Sequence, residues 1–191
     1  EGAISIDTRK AAVAEAAVAA GADLVNDVAG LTFDPALAPF CAARGLPVCV
    51  MHAQGDPATM QRDPRYDDVL LDVYDYLAER IAALEAQGIP RANIIADPGI
   101  GFGKTLEHNL ALLARLSLFH SLGVPILLGA SRKRFIGTIG GGAAGEDRAP
   151  GSIAVALAAL NHGVQVLRVH DVAQTIQSIL LYRSALAGKE I

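Results

Sequence analysis

The sequence predicts an α/β fold of the (β/α)8 barrel class, and three observations lead to that prediction. Short apolar runs alternate with longer helical stretches along all 191 residues. Each run is hydrophobic at consecutive positions, which is typical of strands in a parallel sheet covered by helices. Nearly every run ends in a charged or amide side chain. In a barrel the carboxyl ends of all strands open on one face, so these polar side chains are expected to meet there.

Six strands and their helices can be placed along the chain. The predicted strands are 3–6, 24–25, 46–51, 94–96, 124–128 and 164–169. Glycines at 45, 88, 123 and 163 follow the helical stretches, as expected at helix C-termini. A doubly wound open sheet is the alternative, but it binds ligands only at a switch point and does not need a polar group after every strand.

The length predicts how much of a barrel is present. Eight units typically take about 250 residues, so 191 residues correspond to about six of the eight. We therefore expect residues 1–191 to form a single barrel domain, with the first two βα units lying upstream of Glu1.

Composition argues against several classes of protein. The 16 Lys and Arg residues are scattered and the net charge is −4, so neither nucleic acid nor an anionic membrane is an expected partner. No apolar run approaches the roughly 18 residues of a membrane span. Two cysteines, Cys41 and Cys49, cannot form a disulfide framework, and a reducing cytoplasm is the expected location.

The most specific local string runs from Asp97 to Thr105 and reads DPGIGFGKT. It is not a phosphate-binding P-loop, because Pro98 stands where that motif needs glycine. Asp97 offers a carboxylate at a strand end, the glycines let the backbone approach a flat ligand, and Phe102 can pack against a ring. The alternative is a glycine-rich turn before a helix capped by Thr105.

Two carboxylates and an amide follow three of the predicted strands. Asp7, Asn26 and Asp97 together suit a heterocycle that presents an amino group beside a ring N–H, because a carboxylate accepts two parallel bonds. Taken singly, Asp7 and Asn26 could instead be helix N-caps. Asp27 is predicted to be structural, and Met51 is either a pocket floor or core.

Cationic groups follow the last two strands, where barrels often bind phosphate. Strand alternation places Arg168 and His170 on one side, so the guanidinium can stack on a planar ligand while the imidazole reaches a phosphate. A solvated basic rim is the alternative for Arg132 and Lys133, and it is the prediction for Arg134. Asp171 is predicted to cap the final helix.

Neither a metal site nor a nucleophile is predicted from the residues. The five histidines lack metal-binding spacing, and whether His52 lines the pocket stays open. Ser131 has no base beside it in the sequence.

Six strings, taken together in order and spacing, resemble the dihydropteroate synthase family over essentially the whole chain. They are Ser5-Ile6-Asp7-Thr8, Val25-Asn26-Asp27, Val50-Met51-His52, Asp97 to Lys104, Gly129-Ala130-Ser131-Arg132-Lys133 and Arg168-Val169-His170-Asp171.

The resemblance implies an enzyme that condenses 6-hydroxymethyl-7,8-dihydropterin pyrophosphate with 4-aminobenzoate to give dihydropteroate and pyrophosphate. Mg²⁺ would accompany the pyrophosphate, with its protein ligand upstream of this chain. The resemblance also implies a homodimer and a site where sulfonamides compete. The chain alone is expected to have little or no activity, because the family's first two strands carry loops that complete the site.

The resemblance also implies roles for individual residues. The implied pterin contacts are Asp7, Asn26, Met51, Asp97 and Lys133. The implied aminobenzoate contacts are Gly101, Phe102, Ser131 and Lys133. The implied pyrophosphate contacts are Arg168, which also stacks on the pterin, and His170; Lys133, Arg168 and His170 are the implied catalytic residues.

Two relatives with other functions compete with this reading. A pterin-binding methyltransferase shares the acidic and amide positions but has little use for the cations after the last two strands. A non-catalytic pterin-binding relative is the second alternative.

Overall fold

Six parallel strands, arranged side by side in chain order, form the centre of the molecule. The computed structural model describes residues 2–55, 63–142 and 144–190. The strands are β1 (Ser5–Asp7), β2 (Leu24–Asp27), β3 (Val48–Met51), β4 (Ile94–Asp97), β5 (Leu127–Leu128) and β6 (Val166–Leu167). Strands β1 to β4 pair in sequence, a parallel bridge between Ala96 and Ile126 joins β4 to β5, and β5 pairs with β6.

This sequential order decides between the two predicted folds. A doubly wound sheet reverses its strand order at a switch point, whereas a barrel adds each new strand beside the previous one. The described strands follow the barrel order throughout, and all six fall within or beside the predicted runs. Within the described residues, β1 and β6 each have a neighbouring strand on one side only.

Seven α-helices connect and follow these strands in the part of the chain that the structure describes. They are α1 (Ala11–Ala19), α2 (Leu37–Arg44), α3 (Val69–Ala86), α4 (Leu106–Leu113), α5 (Arg134–Gly140), α6 (Ala149–Asn161) and α7 (Val172–Ala187). Short 3-10 helices span Arg91–Asn93, Leu116–Leu122 and Glu146–Arg148. None of these helices is both long and apolar enough to cross a bilayer.

Helix α3 illustrates how the sequence builds the outer layer. The Asp68 carboxylate caps it by accepting hydrogen bonds from the backbone N–H groups of Leu70 and Leu71. Its buried side chains recur three or four residues apart and face the sheet. They are Val69, Val73, Leu77, Ile81 and Leu84. All five join one hydrophobic core with the alternate strand residues that face the helices, such as Val48, Val50 and Ala96.

The helix ends confirm most of the predicted signals and correct one. Gly45 and Gly123 adopt left-handed conformations directly after helical segments, where glycine carries no steric penalty. Thr105 caps α4 through a reciprocal pair of hydrogen bonds with His108. Asp171 precedes α7 as predicted, but its carboxylate does not cap the helix, because it binds Arg132 instead.

Candidate functional site

The carboxyl ends of the strands bring the predicted acceptors to one face of the sheet. In the strand register Asp7 lies opposite Asn26, and Met51 lies opposite Asp97. Met51 is two residues beyond the partner of Asn26, so all four side chains point away from the helices. Arg168, directly after β6, reaches the same face and binds Asp7. The predicted pterin contacts on these strands therefore lie around one opening.

The ion pair between Asp7 and Arg168 joins the two outermost strands. An Arg168 Nη2 atom lies 2.8 Å from Asp7 Oδ2, with 59% and 47% of the two side chains exposed. Asp7 is therefore not a helix cap; the backbone N–H of Ala11 at the start of α1 instead donates to the Asp34 carboxylate at 2.8 Å. Both charges remain accessible to a ligand.

Asp97 occupies a much drier position on the same face. It is 7% exposed, and its Oδ1 accepts a hydrogen bond of 2.8 Å from the backbone N–H of Gly99. Burial raises the pKa of Asp97, against the opposing effects of the Gly99 N–H and the positive charge of Lys133. A Cβ on Gly129 would come within 3.8 Å of Asp97 Oδ2, so glycine keeps the floor beside this carboxylate open.

Asn26 and Asp27 face opposite sides of the sheet, in agreement with the sequence-based prediction of one ligand-facing and one structural residue. Asn26 is on the ligand-facing side and is 7% exposed. Asp27 faces the helices, and its carboxylate accepts hydrogen bonds from the backbone N–H groups of Ala29 and Leu31 at 2.8 and 2.9 Å. Asp27 is therefore structural, as predicted, while Asn26 is available to a ligand. Met51 is 3% exposed beneath the same opening.

A cleft of about 550 Å³ lies between the loops that follow β4 and β5. Phe102 and Lys133 form one wall, because the Lys133 Nζ atom lies 4.2 Å from the centre of the Phe102 ring. The same Nζ donates a hydrogen bond to the carbonyl oxygen of Ile100. Burial lowers the pKa of Lys133 to about 8 despite the attraction of Asp97. A Cβ on Gly101 would lie 2.8 Å from Lys133 Cδ, and Gly101 has a φ of 78°, so a side chain at this position would strain the backbone and displace the lysine stem.

Arg134 also lines this cleft, together with Phe135 and Thr138 on α5. Its side chain is exposed, as predicted for a solvated rim, but its position at the cleft gives it access to whatever binds there. The sequence does not predict that Arg134 lines the cleft, because this depends on how the start of α5 packs against the loop after β4.

Arg132 is neither a ligand-facing group nor a free rim charge. Its guanidinium binds both carboxylate oxygens of Asp171, with distances of 2.5 and 3.1 Å. Its backbone has a φ of 58°, which is unusual for a residue other than glycine. The Ser152 hydroxyl accepts a hydrogen bond from the Arg132 N–H. These contacts join the loops that follow β5 and β6.

Ser131 and His170 meet across the same two loops, so the expectation that Ser131 has no neighbouring base is wrong. The two residues are 39 positions apart in the chain, and only the packing of the loops brings them together. The Ser131 hydroxyl lies 3.0 Å from His170 Nδ1 and accepts a 3.2 Å hydrogen bond from the His170 backbone N–H. Ser131 is buried and His170 is exposed, with Arg168 two residues before it. The cluster provides hydrogen-bond donors and positive charge for an anion.

The structure reveals one buried cation that the sequence analysis overlooked. Lys104 is 3% exposed, and its Nζ lies 2.8 Å from His52 Nδ1 and 3.1 Å from the carbonyl oxygen of Phe102. His52, left open as a pocket residue, is 6% exposed and packs edge-on against Tyr76. The Gly-Lys-Thr string drew attention only as a failed P-loop, and nothing in the spacing pointed to a buried lysine.

The described residues contain no group of three or more His, Cys, Asp or Glu side chains arranged to hold a metal ion. The Asp7 carboxylate is already paired with Arg168. The described residues by themselves therefore do not fit a Mg²⁺ site.

Comparison with known proteins defines the class. A profile of the pterin binding enzyme family matches residues 1–170, so the chain belongs to that family. It is 43% identical over 187 residues to dihydropteroate synthase of Escherichia coli K12. That match covers 98% of this chain and 66% of the relative, so the chain spans slightly less than two thirds of the relative's length.

Solved structures give the same result at the level of the fold. Dihydropteroate synthase from Xanthomonas albilineans, solved with 7,8-dihydropteroate, aligns with a TM-score of 0.89 at 43% identity. The alignment covers 97% of this chain and 67% of that protein. The Yersinia pestis synthase, solved with a sulfonamide drug complex, aligns with a TM-score of 0.93 at 40% identity, over 99% of this chain and 68% of that one.

Proposed function

We propose that this chain carries the pterin and aminobenzoate sites of a dihydropteroate synthase, a folate-pathway transferase. The reaction would condense 6-hydroxymethyl-7,8-dihydropterin pyrophosphate with 4-aminobenzoate, giving 7,8-dihydropteroate and pyrophosphate. The observation that carries the proposal is the convergence of Asp7, Asn26 and Asp97 with Lys133 and Arg168 around one opening. The family membership and the complexes of the relatives support it.

The acceptors fit the pterin edge. A carboxylate accepts two parallel hydrogen bonds, which matches an exocyclic amino group beside a ring N–H. Asp97 is buried and its carboxylate is held by the Gly99 N–H, so little conformational entropy of this side chain is lost when it binds the pterin edge. Asn26 and Asp7 extend the polar wall, and Met51 supplies an apolar surface beneath the ring.

The cations fit the leaving group. In the proposed reaction the bond between the pterin methylene carbon and the diphosphate oxygen breaks first, and the electron pair leaves with the pyrophosphate. Arg168 and His170 would stabilise the developing negative charge, while Asp7 and Asp97 place negative charge near the delocalised pterin cation. The aryl amine nitrogen then bonds to the methylene carbon and loses a proton. No protein nucleophile is needed.

The cleft beside Phe102 fits the aryl amine. Its walls combine aromatic rings with the charges of Lys133 and Arg134, which suits a benzene ring that carries a carboxylate. Gly101 also lines this cleft, whereas Ser131, the other implied aminobenzoate contact, lies against His170 and is not among its lining residues. The proposed aminobenzoate site is also where a sulfonamide would compete. A methyltransferase would have little use for this wall or for the anion-binding cluster of Ser131 and His170.

Mg²⁺, a homodimer and a cytoplasmic location are part of the proposal. Mg²⁺ would arrive with the pyrophosphate and neutralise its charge, using a protein ligand outside the described residues. Helix α7 supports the dimer, because Val172, Ile176 and Leu180 lie four residues apart and are about half exposed. Free, buried Cys41 and Cys49 fit a reducing compartment.

Turnover of both substrates tests the proposed activity. We would assay this chain and a version extended upstream by two βα units, expecting product from the extended protein and little or none from the shorter one. Lys133→Met in the extended protein should abolish product without changing its urea midpoint. Binding of the pterin pyrophosphate with no product from either polypeptide would instead favour a non-catalytic pterin-binding protein.

A further inference from the structure

Lys104 is a buried cation whose hydrogen bonds go to neutral acceptors. Its Nζ contacts His52 Nδ1 at 2.8 Å, the Phe102 carbonyl oxygen at 3.1 Å and the His52 carbonyl oxygen at 3.4 Å. Among the described residues, no carboxylate lies within ion-pair distance of it. Burying an ammonium group without a direct ion-pair partner costs stability, and the charge of Asp97 offsets only part of the effect of burial on the pKa of Lys104, so Lys104 is a poor choice for folding alone.

His52 is suited to accept from this ammonium group. Burial and the neighbouring Lys104 charge lower the pKa of His52 to about 3, so its ring is neutral at physiological pH. Because an ammonium group can only donate, Nδ1 of the neutral ring is the acceptor and the ring proton is on Nε2. Burial likewise lowers the pKa of Lys104 to about 7, and the amine retains two N–H donors when it loses a proton.

Lys104 adds side-chain hydrogen bonds between two segments that already pack closely together. The loop is also held by the Tyr66 hydroxyl, which donates to the Gly103 carbonyl oxygen at 2.7 Å, and by Asn109 Oδ1, which accepts from the Gly101 N–H at 2.6 Å. Gly99 and Gly103 pack so closely on the residues after β3 that a Cβ would lie 1.8 Å from the His52 carbonyl oxygen and 2.5 Å from that of Gln54. The Lys104 Nζ donates hydrogen bonds to the carbonyl oxygens of both His52 and Phe102, so it links the two segments. The loop from Gly99 to Gly103 is therefore fixed on the end of β3.

The same loop presents the two groups that hold Lys133. The Ile100 carbonyl oxygen accepts a hydrogen bond from Lys133 Nζ, and the Phe102 ring lies 4.2 Å from that atom. A shift of the loop would move both partners of Lys133 at once. The position of a site cation thus depends on Lys104. Lys104 also lines the cleft, but its Nζ is buried against His52 and the Phe102 carbonyl oxygen.

We propose that Lys104 is a positioning residue, which holds the Gly99–Gly103 loop on the end of β3 so that Phe102 and Lys133 form the wall of the aryl-amine cleft. This assignment rests on the proposed function for the identity of the ligand, but its geometric part does not. It predicts that removing the Lys104 contacts changes the Phe102–Lys133 arrangement and weakens aryl-amine binding more than pterin binding.

Lys104→Met keeps most of the unbranched stem, one atom shorter, and removes its donors. NMR of the isotopically labelled chain would follow the ε-methylene protons of Lys133, which we expect the Phe102 ring current to shift upfield because the adjacent Nζ lies over the ring; Phe102→Leu gives the unshifted reference. We expect Lys104→Met to abolish the upfield shift and to weaken 4-aminobenzoate binding about tenfold, the scale of one lost hydrogen bond. Binding of 6-hydroxymethylpterin should change less than twofold.

Matched variants separate positioning from general damage. Lys189→Met removes an exposed lysine and should change nothing. His52→Leu removes an acceptor and should reproduce part of the Lys104→Met effect, whereas His52→Asn keeps a polar group near Nδ1 and should restore the shift. The urea midpoint of Lys104→Met is expected to stay the same or rise, because a desolvated charge is lost.

If the chemical shift of the Lys133 ε-methylene protons is unchanged in Lys104→Met, the proposal is wrong, regardless of the ligand affinities. Loss of the shift with full 4-aminobenzoate affinity would overturn the assigned role in the cleft. If the parent chain binds neither ligand, the proposed function fails in this polypeptide, and the Lys133 shift still decides whether Lys104 positions the loop.

Discussion

The two halves of the candidate site are held together in different ways. On the side of β4 and β5, Asp97 and Lys133 are fixed by neighbouring loops through short-range, largely buried contacts. On the opposite side, Asp7 and Arg168 meet across 161 residues of sequence, through one ion pair in which about half of each side chain is exposed. A buried contact is little screened by water and an exposed pair contributes little. Asp97 and Lys133 are therefore already held in place before a ligand binds. Asp7 and Arg168 depend on the ligand to fix their side chains.

The largest expected effect distinguishes the two carboxylates. Asp97→Asn should weaken pterin binding by about 100-fold, because it removes an acceptor of charge-assisted hydrogen bonds in a dry position. Asp7→Asn should cost about tenfold or less, since water screens that site. Titration of 6-hydroxymethylpterin by fluorescence measures both, with the urea midpoint as a control for folding. Equal losses would contradict the difference between the halves.

The pH dependence of Asp97 sharpens the same comparison. Its pKa is raised, mainly by burial, so it takes up a proton at a pH above the ordinary value of 3.8. Pterin affinity should therefore fall as the pH is lowered through that raised pKa. Stability should change in the opposite direction, because the contribution of the protonated group is full below pH 3.8 and is lost as the pH rises through the folded-state pKa.

Asp97→Asn should flatten both of these curves. Calorimetric titration of ligand and urea denaturation at a series of pH values give the two measurements. A pH profile for pterin binding that survives in Asp97→Asn would assign the proton to another group.

The aromatic wall is expected to have an intermediate effect. Phe102→Leu keeps apolar volume but loses the ring face that contacts Lys133, so 4-aminobenzoate binding should weaken about three- to tenfold. Pterin binding should hardly change, because the ring lies beside the cleft rather than among the strand-end acceptors. Isothermal titration with each ligand tests this split, and a parallel loss of both affinities would be the contrary result.

The smallest predicted effect concerns the contact between the last two loops. Asp171→Asn removes the charge that holds Arg132, so His170 should be less well placed and inorganic diphosphate should bind about threefold more weakly. Asp63→Asn breaks the ion pair between Asp63 and Arg65, whose side chains are 68% and 84% exposed, respectively. It should not change diphosphate binding. Similar losses in both variants would show that the Arg132 contact does not position the site.

Much of the site was predictable because its signals are local. Strand-end residues such as Asp97 and Asn26 can be identified because they directly follow apolar runs. Thr105 can be identified as a helix cap because it directly precedes a helical stretch. The errors concern partners. Asp171 is predicted to cap its own helix but binds Arg132, 39 residues earlier in the chain. Arg134 is exposed, as predicted, but the sequence does not indicate that it also lines the cleft. A cap depends on near neighbours, whereas the choice of a distant partner depends on how loops fold over one another.

The sequence by itself determined the alternation of strands and helices and the placement of polar residues directly after the strands. It did so because hydrophobic periodicity and helix-end signals act over a few residues. Only the tertiary structure decided that Lys104 is buried against His52 and that Asp7 pairs with Arg168. Those outcomes depend on desolvation and on distances between segments far apart in the chain, which no local pattern encodes.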